Sequence, residues 1–95
     1  MMKIKWTSNA KAQLIEILRF YTRRNRSSVY SKRLKKEVLR VVQRIRANPH
    51  LGEEAPGYDN RRRMIVGNYV LAYELDENVI YIHSLRDGRR DEENE

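Results

Sequence analysis

No cysteine occurs in the 95 residues, so disulfides, thiolate zinc sites and a cysteine nucleophile are excluded. Histidine is nearly absent too. His50 and His83 fall in different segments with no thiolate to join them, so no metal site is expected. Glycine-rich phosphate loops and nucleophile elbows are missing, which speaks against nucleotide-dependent and triad-type enzymes, and no cofactor is expected. Apolar runs are far too short to span a bilayer, and Met1–Trp6 lacks the apolar stretch of a signal peptide. A soluble, cytoplasmic protein without a membrane partner is therefore expected. Proline and glycine number only two and four, and both prolines and two of the glycines fall within 49–57. That marks one irregular segment between patterned stretches, a surface loop over 49–59.

Acid is scarce where base is dense. From Arg19 to Arg46 eleven lysines and arginines face the single acid Glu37, within a chain of net charge +7. Such a surface favours anionic partners, nucleic acid or an acidic protein segment, through forces that carry no sequence information. The plainer reading is a well-solvated helical face.

What is present is periodic. Ile4 and Trp6 alternate in a short N-terminal run that reads as an edge strand. Thr7 or Ser8 then caps a helix carrying Ala10, Leu14, Ile17, Leu18 and Tyr21 on one stripe. Ser27 or Ser28 opens a second helix with Tyr30, Leu34, Val38, Val41, Val42 and Ile45 on one face, ending before Asn48-Pro49 because proline disfavours helical geometry in the residue before it. Three runs rich in Val, Ile, Leu and Tyr follow, parted by Gly67-Asn68 and Asp76-Glu77-Asn78, and read as an antiparallel meander. Tyr69, Leu71, Tyr73 and Leu75 take the core face, and Val70, Ala72 and Glu74 the other. The expected fold is α+β: strand, helix, helix, then three strands, with a helical hairpin packed on one face of a small antiparallel sheet. It is one domain over 1–95, with 91–95 as an acidic tail.

Arginine brackets this meander, as Arg61, Arg62 and Arg63 before it and Arg86, Arg89 and Arg90 after it. A cluster of Arg61, Arg63, Arg86, Arg89 and Arg90 can hold phosphates bidentately and stabilise charge in a phosphodiester cleavage. Cleavage of RNA by its own 2′-hydroxyl needs no metal, but it needs proton-transfer groups, for which His83, Tyr81, a loop glutamate and one of the arginines are the candidates. His83 shares the alternation of Tyr81 and Leu85, which favours a packed histidine. Arginines at strand ends also simply blunt sheet edges.

Trp6-Thr7-Ser8-Asn9-Ala10, Asn48-Pro49-His50-Leu51-Gly52, Gly67-Asn68-Tyr69 and Asp87-Gly88-Arg89-Arg90, in this order and spacing, resemble the RelE/ParE superfamily of bacterial type II toxins. The resemblance implies the fold just described, a cognate antitoxin as partner, and operator DNA contacted only through the antitoxin complex. It also implies one of two activities. RelE-like members cut messenger RNA on the ribosome, and their basic residues fall on Arg61, Arg63 and Arg90. ParE-like members poison DNA gyrase, for which Arg86, Arg89 and Arg90 are the target-binding candidates. The arginine that follows the hairpin tyrosine in RelE is Val70 here, and the terminal tyrosine or histidine has no counterpart in 91–95. The resemblance therefore implies a ParE-like inhibitor acting by binding, with a RelE-like metal-independent endoribonuclease and a non-toxic relative as the alternatives. No antitoxin-binding residue is assigned.

Overall fold

A computed structural model describes residues 2–88. Strand β1 (Lys3–Trp6) leads into helix α1 (Ser8–Asn25) and helix α2 (Val29–Ala47), followed by strands β2 (Glu53–Glu54), β3 (Arg61–Val66), β4 (Tyr69–Asp76) and β5 (Val79–Asp87). The sheet order is β1-β5-β4-β3-β2. Both helices lie on one face of this sheet, as the sequence predicts, and the three C-terminal strands form the expected meander. Two features differ from expectation. β1 joins β5 in parallel, so the sheet is mixed, and the loop after Pro49 contributes a two-residue edge strand antiparallel to β3.

Local chemistry explains the boundaries. Thr7 is the cap of α1, its Oγ1 accepting from the Ala10 amide at 3.1 Å. α1 ends at Arg26, a residue in the left-handed region at φ 51° that returns its N–H to the last turn. Ser28 occupies the cap position of α2, but it is Ser27 Oγ that accepts from the Val29 amide, at 3.2 Å. The β3–β4 turn is Gly67-Asn68, with Gly67 at φ 62°, and the β4–β5 turn places Glu77 at φ 53°.

The core is a sandwich of the helical stripe Ala10, Leu34, Val38, Val42 and Ile45 against Val66, Tyr69, Leu71, Tyr73, Ile80, Ile82 and Leu85 of the sheet, all buried. Ile4, Trp6, Leu14, Ile17, Leu18 and Tyr21 pack around it. Burying a side chain such as Leu71 or Ile82 completely stabilises the fold by about 1.5–3 kcal/mol. Among the described residues no helix is long and apolar enough to cross a membrane.

β5 outruns its parallel neighbour. β1 pairs only with Val79–Ile82, so the outer edge of β5 beyond Ile82 would be bare. Side chains from the start of α1 take over: Thr7 Oγ1 and Asn9 Nδ2 donate to the His83 carbonyl at 3.2 and 3.3 Å, and Gln13 Oε1 accepts from the Leu85 amide at 2.8 Å. The helix thus seals the sheet edge against pairing with another chain.

Candidate functional site

The helices leave one face of the sheet uncovered, and the register fixes what it displays. Arg61 pairs with Glu74 and Glu74 with Tyr81, whose other neighbour is Lys5. One step along, Arg63 pairs with Ala72 and Ala72 with Ser84; a further step brings Ile65, Val70 and Arg86 into a row. All alternate with the buried set of Tyr69, Leu71 and Tyr73 and so stand on the uncovered side.

A β-bulge sets the position of His83. Tyr73 pairs with Ile82 and Ala72 with Ser84, which leaves His83 as the extra residue. The alternation expected from the sequence put His83 on one side with Tyr81 and Leu85. The bulge breaks that phase: His83 stays on the uncovered face beside Glu74, and Leu85 turns into the core, 1% exposed.

At the centre of this face three ionisable groups meet. Arg61 Nε donates to Glu74 Oε1 at 3.1 Å, and His83 Nε2 lies 3.4 Å from Glu74 Oε2. That second contact falls short of hydrogen-bond geometry, and the buried Nε2 has no hydrogen-bond partner among the described residues. The Arg61 hydrogen bond holds the Glu74 carboxyl below the usual carboxylate range, against the opposing effect of burial and with a smaller contribution from His83. The Arg61 guanidinium also lies over the Tyr58 ring, 4.5 Å from its centroid. Arg61 is therefore held on two sides. Arg63 is exposed and makes no ion pair among the described residues.

The predicted arginines are only partly brought together. With strands about 4.8 Å apart and residues about 3.4 Å apart along them, Arg63 and Arg86 stand two strands and one alternation step apart, whereas Arg61 is a step further from Arg86. Arg86 is exposed at the end of β5 and is not free of partners. Arg89 and Arg90, with the tail 91–95, lie outside the described residues.

Arg62 points to the opposite side and is structural. Its Nη1 donates to the carbonyls of His50 and Gly52 at 3.2 and 2.7 Å, and its Nη2 to Glu54 Oε1 at 3.2 Å. Its partner in register, Tyr73, sends its hydroxyl to the same loop, donating to Pro49 O at 2.8 Å and accepting from the Gly52 amide at 2.9 Å. Burial raises the Tyr73 pKa, opposed by the Gly52 hydrogen bond and the Arg62 charge. Gly52 is required by space: a Cβ there would stand 2.7 Å from Tyr73 Oη and 2.8 Å from the Arg63 carbonyl. The Asn48–Gly52 motif is thus a docking clip for the loop, and His50 contributes its backbone carbonyl to it.

A second aromatic site closes the other end of the core. Tyr69 donates its hydroxyl to that of Tyr21 at 3.2 Å, and the Tyr21 and Tyr30 rings meet edge-on with centroids 4.7 Å apart. Burial, then the Tyr21 hydroxyl, pushes the Tyr69 phenol above its ordinary range. Among the described residues no group of three or more His, Asp or Glu side chains is disposed to hold a metal ion.

The sequence reading missed Glu74, although its signal was available. A two-residue turn at Gly67-Asn68 places Arg61 and Glu74 opposite each other, six residues before and six after the turn.

Comparison with known proteins agrees with the fold. The family described as "ParE toxin of type II toxin-antitoxin system, parDE" matches residues 4–92. A solved structure described as the chromosomal ParDE TA system from P. aeruginosa is similar at a TM-score of 0.76 and 18% identity, covering 92% of this chain and 96% of that one. The structure of the YoeB dimer from Staphylococcus aureus is similar at a TM-score of 0.65 and 20% identity, covering 90% and 94%. Among curated proteins none is significantly similar in sequence.

Proposed function

Because the chain belongs to the ParE toxin family of type II toxin–antitoxin systems, we propose that it arrests growth by binding its target, with DNA gyrase as that target. The observation that carries this reading is Val70. In the row Ile65–Val70–Arg86 of the uncovered face, valine stands where the resemblance to RelE calls for an arginine, and it cannot hold a phosphate. The engagement of Arg61 with Glu74 and Tyr58 supports the same reading, since its guanidinium is committed within the protein. Arg86, with Arg89 and Arg90 beyond the described residues, is the candidate contact to the target. The partner that neutralises the toxin is a cognate antitoxin. An acidic segment that folds on binding suits a chain of net charge +7.

A specific observation favours RNA cleavage as the second reading. His83 lies 3.4 Å from Glu74, a carboxylate–imidazole pair beside Arg61 and Arg63 on a solvent-facing sheet. On that reading Glu74 orients the imidazole, His83 transfers the proton, and Arg63 binds phosphate.

Inducing the toxin alone and mapping RNA 5′ ends within minutes separates the two. Growth arrest without new ends, together with loss of supercoiling by purified gyrase, is the expected result. Codon-phased ends in translated regions that vanish in Arg63→Ala and His83→Ala would establish the nuclease instead. Absence of both growth arrest and new ends would leave the third alternative, a relative that acts only within its antitoxin complex.

A further inference from the structure

The sheet and the helical hairpin treat charge differently. The sheet and its loop carry the ion pairs Arg61–Glu74 and Arg62–Glu54 and the close approach of His83 to Glu74. On α2, by contrast, Lys32, Lys36, Arg40 and Arg44 are exposed and make neither an ion pair nor a side-chain hydrogen bond among the described residues. They follow one another at four-residue steps on the arc opposite the buried Leu34, Val38, Val42 and Ile45. A shallow groove of about 470 Å³ opens beside them, lined by Lys32, Arg33, Lys35, Lys36 and Leu39.

We infer that this outer face of α2 binds the phosphate backbone of double-stranded DNA directly, without the antitoxin. From Lys32 to Arg44 the helix rises about 18 Å, which faces about three or four successive phosphates of a duplex strand, since the strand winds around the axis and spaces its phosphates further apart than the rise of about 3.4 Å per phosphate. Four unpaired cations therefore run along a matching line of fixed anions. An acidic amphipathic peptide fits this face less well. Leu39 is its one exposed large apolar side chain, while the others on the hairpin, Ile15, Phe20, Val29 and Tyr30, lie on α1 or the first turn of α2. Single strands fit less well too, because binding them uses aromatic platforms, and Tyr30 has turned its ring edge-on to Tyr21. The contact carries no sequence information. It would hold the toxin near DNA whatever its protein target, and it is independent of the gyrase reading.

The test uses the full chain and a fluorescent 24-base-pair duplex of arbitrary sequence, with anisotropy read from 50 to 200 mM salt and no gyrase present. Four phosphate contacts give a log–log salt slope of about −3.6, an affinity loss of about 150-fold over that range. The triple variant Lys32→Gln/Lys36→Gln/Arg40→Gln, with its melting curve unchanged, should flatten the slope by about 2.7, and Lys32→Gln alone by about 0.9. Lys3→Gln on β1, an exposed lysine of the sheet edge on the face away from α2, should leave it unchanged. No binding at 50 mM would show that the cations form only a solvated face. An unaltered slope in the triple variant would place the contact elsewhere. A glutamate-rich peptide that displaces the duplex better than unlabelled duplex does would assign the face to an acidic protein segment, and tighter binding of an RNA duplex would remove the assignment to DNA. Inhibition of gyrase is measured separately, so either idea can fail alone.

Discussion

Arginine does opposite work in the two layers of this protein. In the sheet two of the three β3 arginines are structural elements, with Arg63 left exposed: Arg62 gathers two carbonyls and a carboxylate, and Arg61 is held between a glutamate and a tyrosine ring. On the hairpin Arg40 and Arg44 touch no acid among the described residues and extend into solvent. The difference follows from neighbours. A strand sets a fixed partner opposite each residue, so a cation beside Glu54 or Glu74 is caught. The exposed arc of α2 offers one acid, Glu37, among its cations. Composition alone is a poor guide to which arginines are available for a ligand, because pairing removes some of them.

Substitutions can break this contrast at several depths. Gly52→Ala should be the most damaging, at about 2–3 kcal/mol in chemical denaturation, since the new Cβ meets the Arg63 backbone carbonyl as well as Tyr73. Arg62→Ala should cost about 2 kcal/mol, because it strips the Gly52 and His50 carbonyls of a partner. A loss below about 0.5 kcal/mol would return Arg62 to the solvated class. Arg61→Ala, breaking a pair that is partly exposed, should cost only about 0.5 kcal/mol.

Acid sharpens the same point. The folded Glu74 carboxyl titrates below its unfolded range, so the unfolded chain takes up the proton first. The stabilisation is present above about pH 4.3 and is lost as pH falls through the lower folded value. Denaturation midpoints at pH 7 and pH 3 should therefore differ less in Glu74→Gln than in the parent chain. Smallest of all, Arg44→Gln on α2 should move stability by less than about 0.5 kcal/mol. A larger change would mean that the hairpin cations also hold the fold.

Much of the architecture was legible because it rests on periodicity. The helical stripes, the Gly67-Asn68 turn and the inward set Tyr69, Leu71 and Tyr73 follow from spacing and are found as expected, except that Tyr30, expected on the apolar face of α2, is exposed and meets the Tyr21 ring edge-on. β2 was not legible: Glu53-Glu54 has neither apolar alternation nor strand propensity, and it pairs only with Arg62 and Arg63, next to the clip that holds its loop. The bulge at His83 was not legible either. Nothing in Ile82-His83-Ser84 announces an extra residue; it shows only once Ile82 and Leu85 are both found buried three positions apart in a strand. Glu74 was half legible, since pairing arithmetic gives its partner but not the approach of His83 across the bulge.

That extra residue has a consequence for how such a face can change. Without His83, the order Ile80, Tyr81, Ile82, Ser84, Leu85 alternates inward and outward without a break, matching the pairing with β4 on both sides. The imidazole is thus a supernumerary in its strand, seated where the core does not count it. A lineage could lose or acquire that group by a single-codon deletion or insertion and keep every buried side chain of β5 in phase, whereas an insertion at any other point of the strand would turn its apolar row toward water.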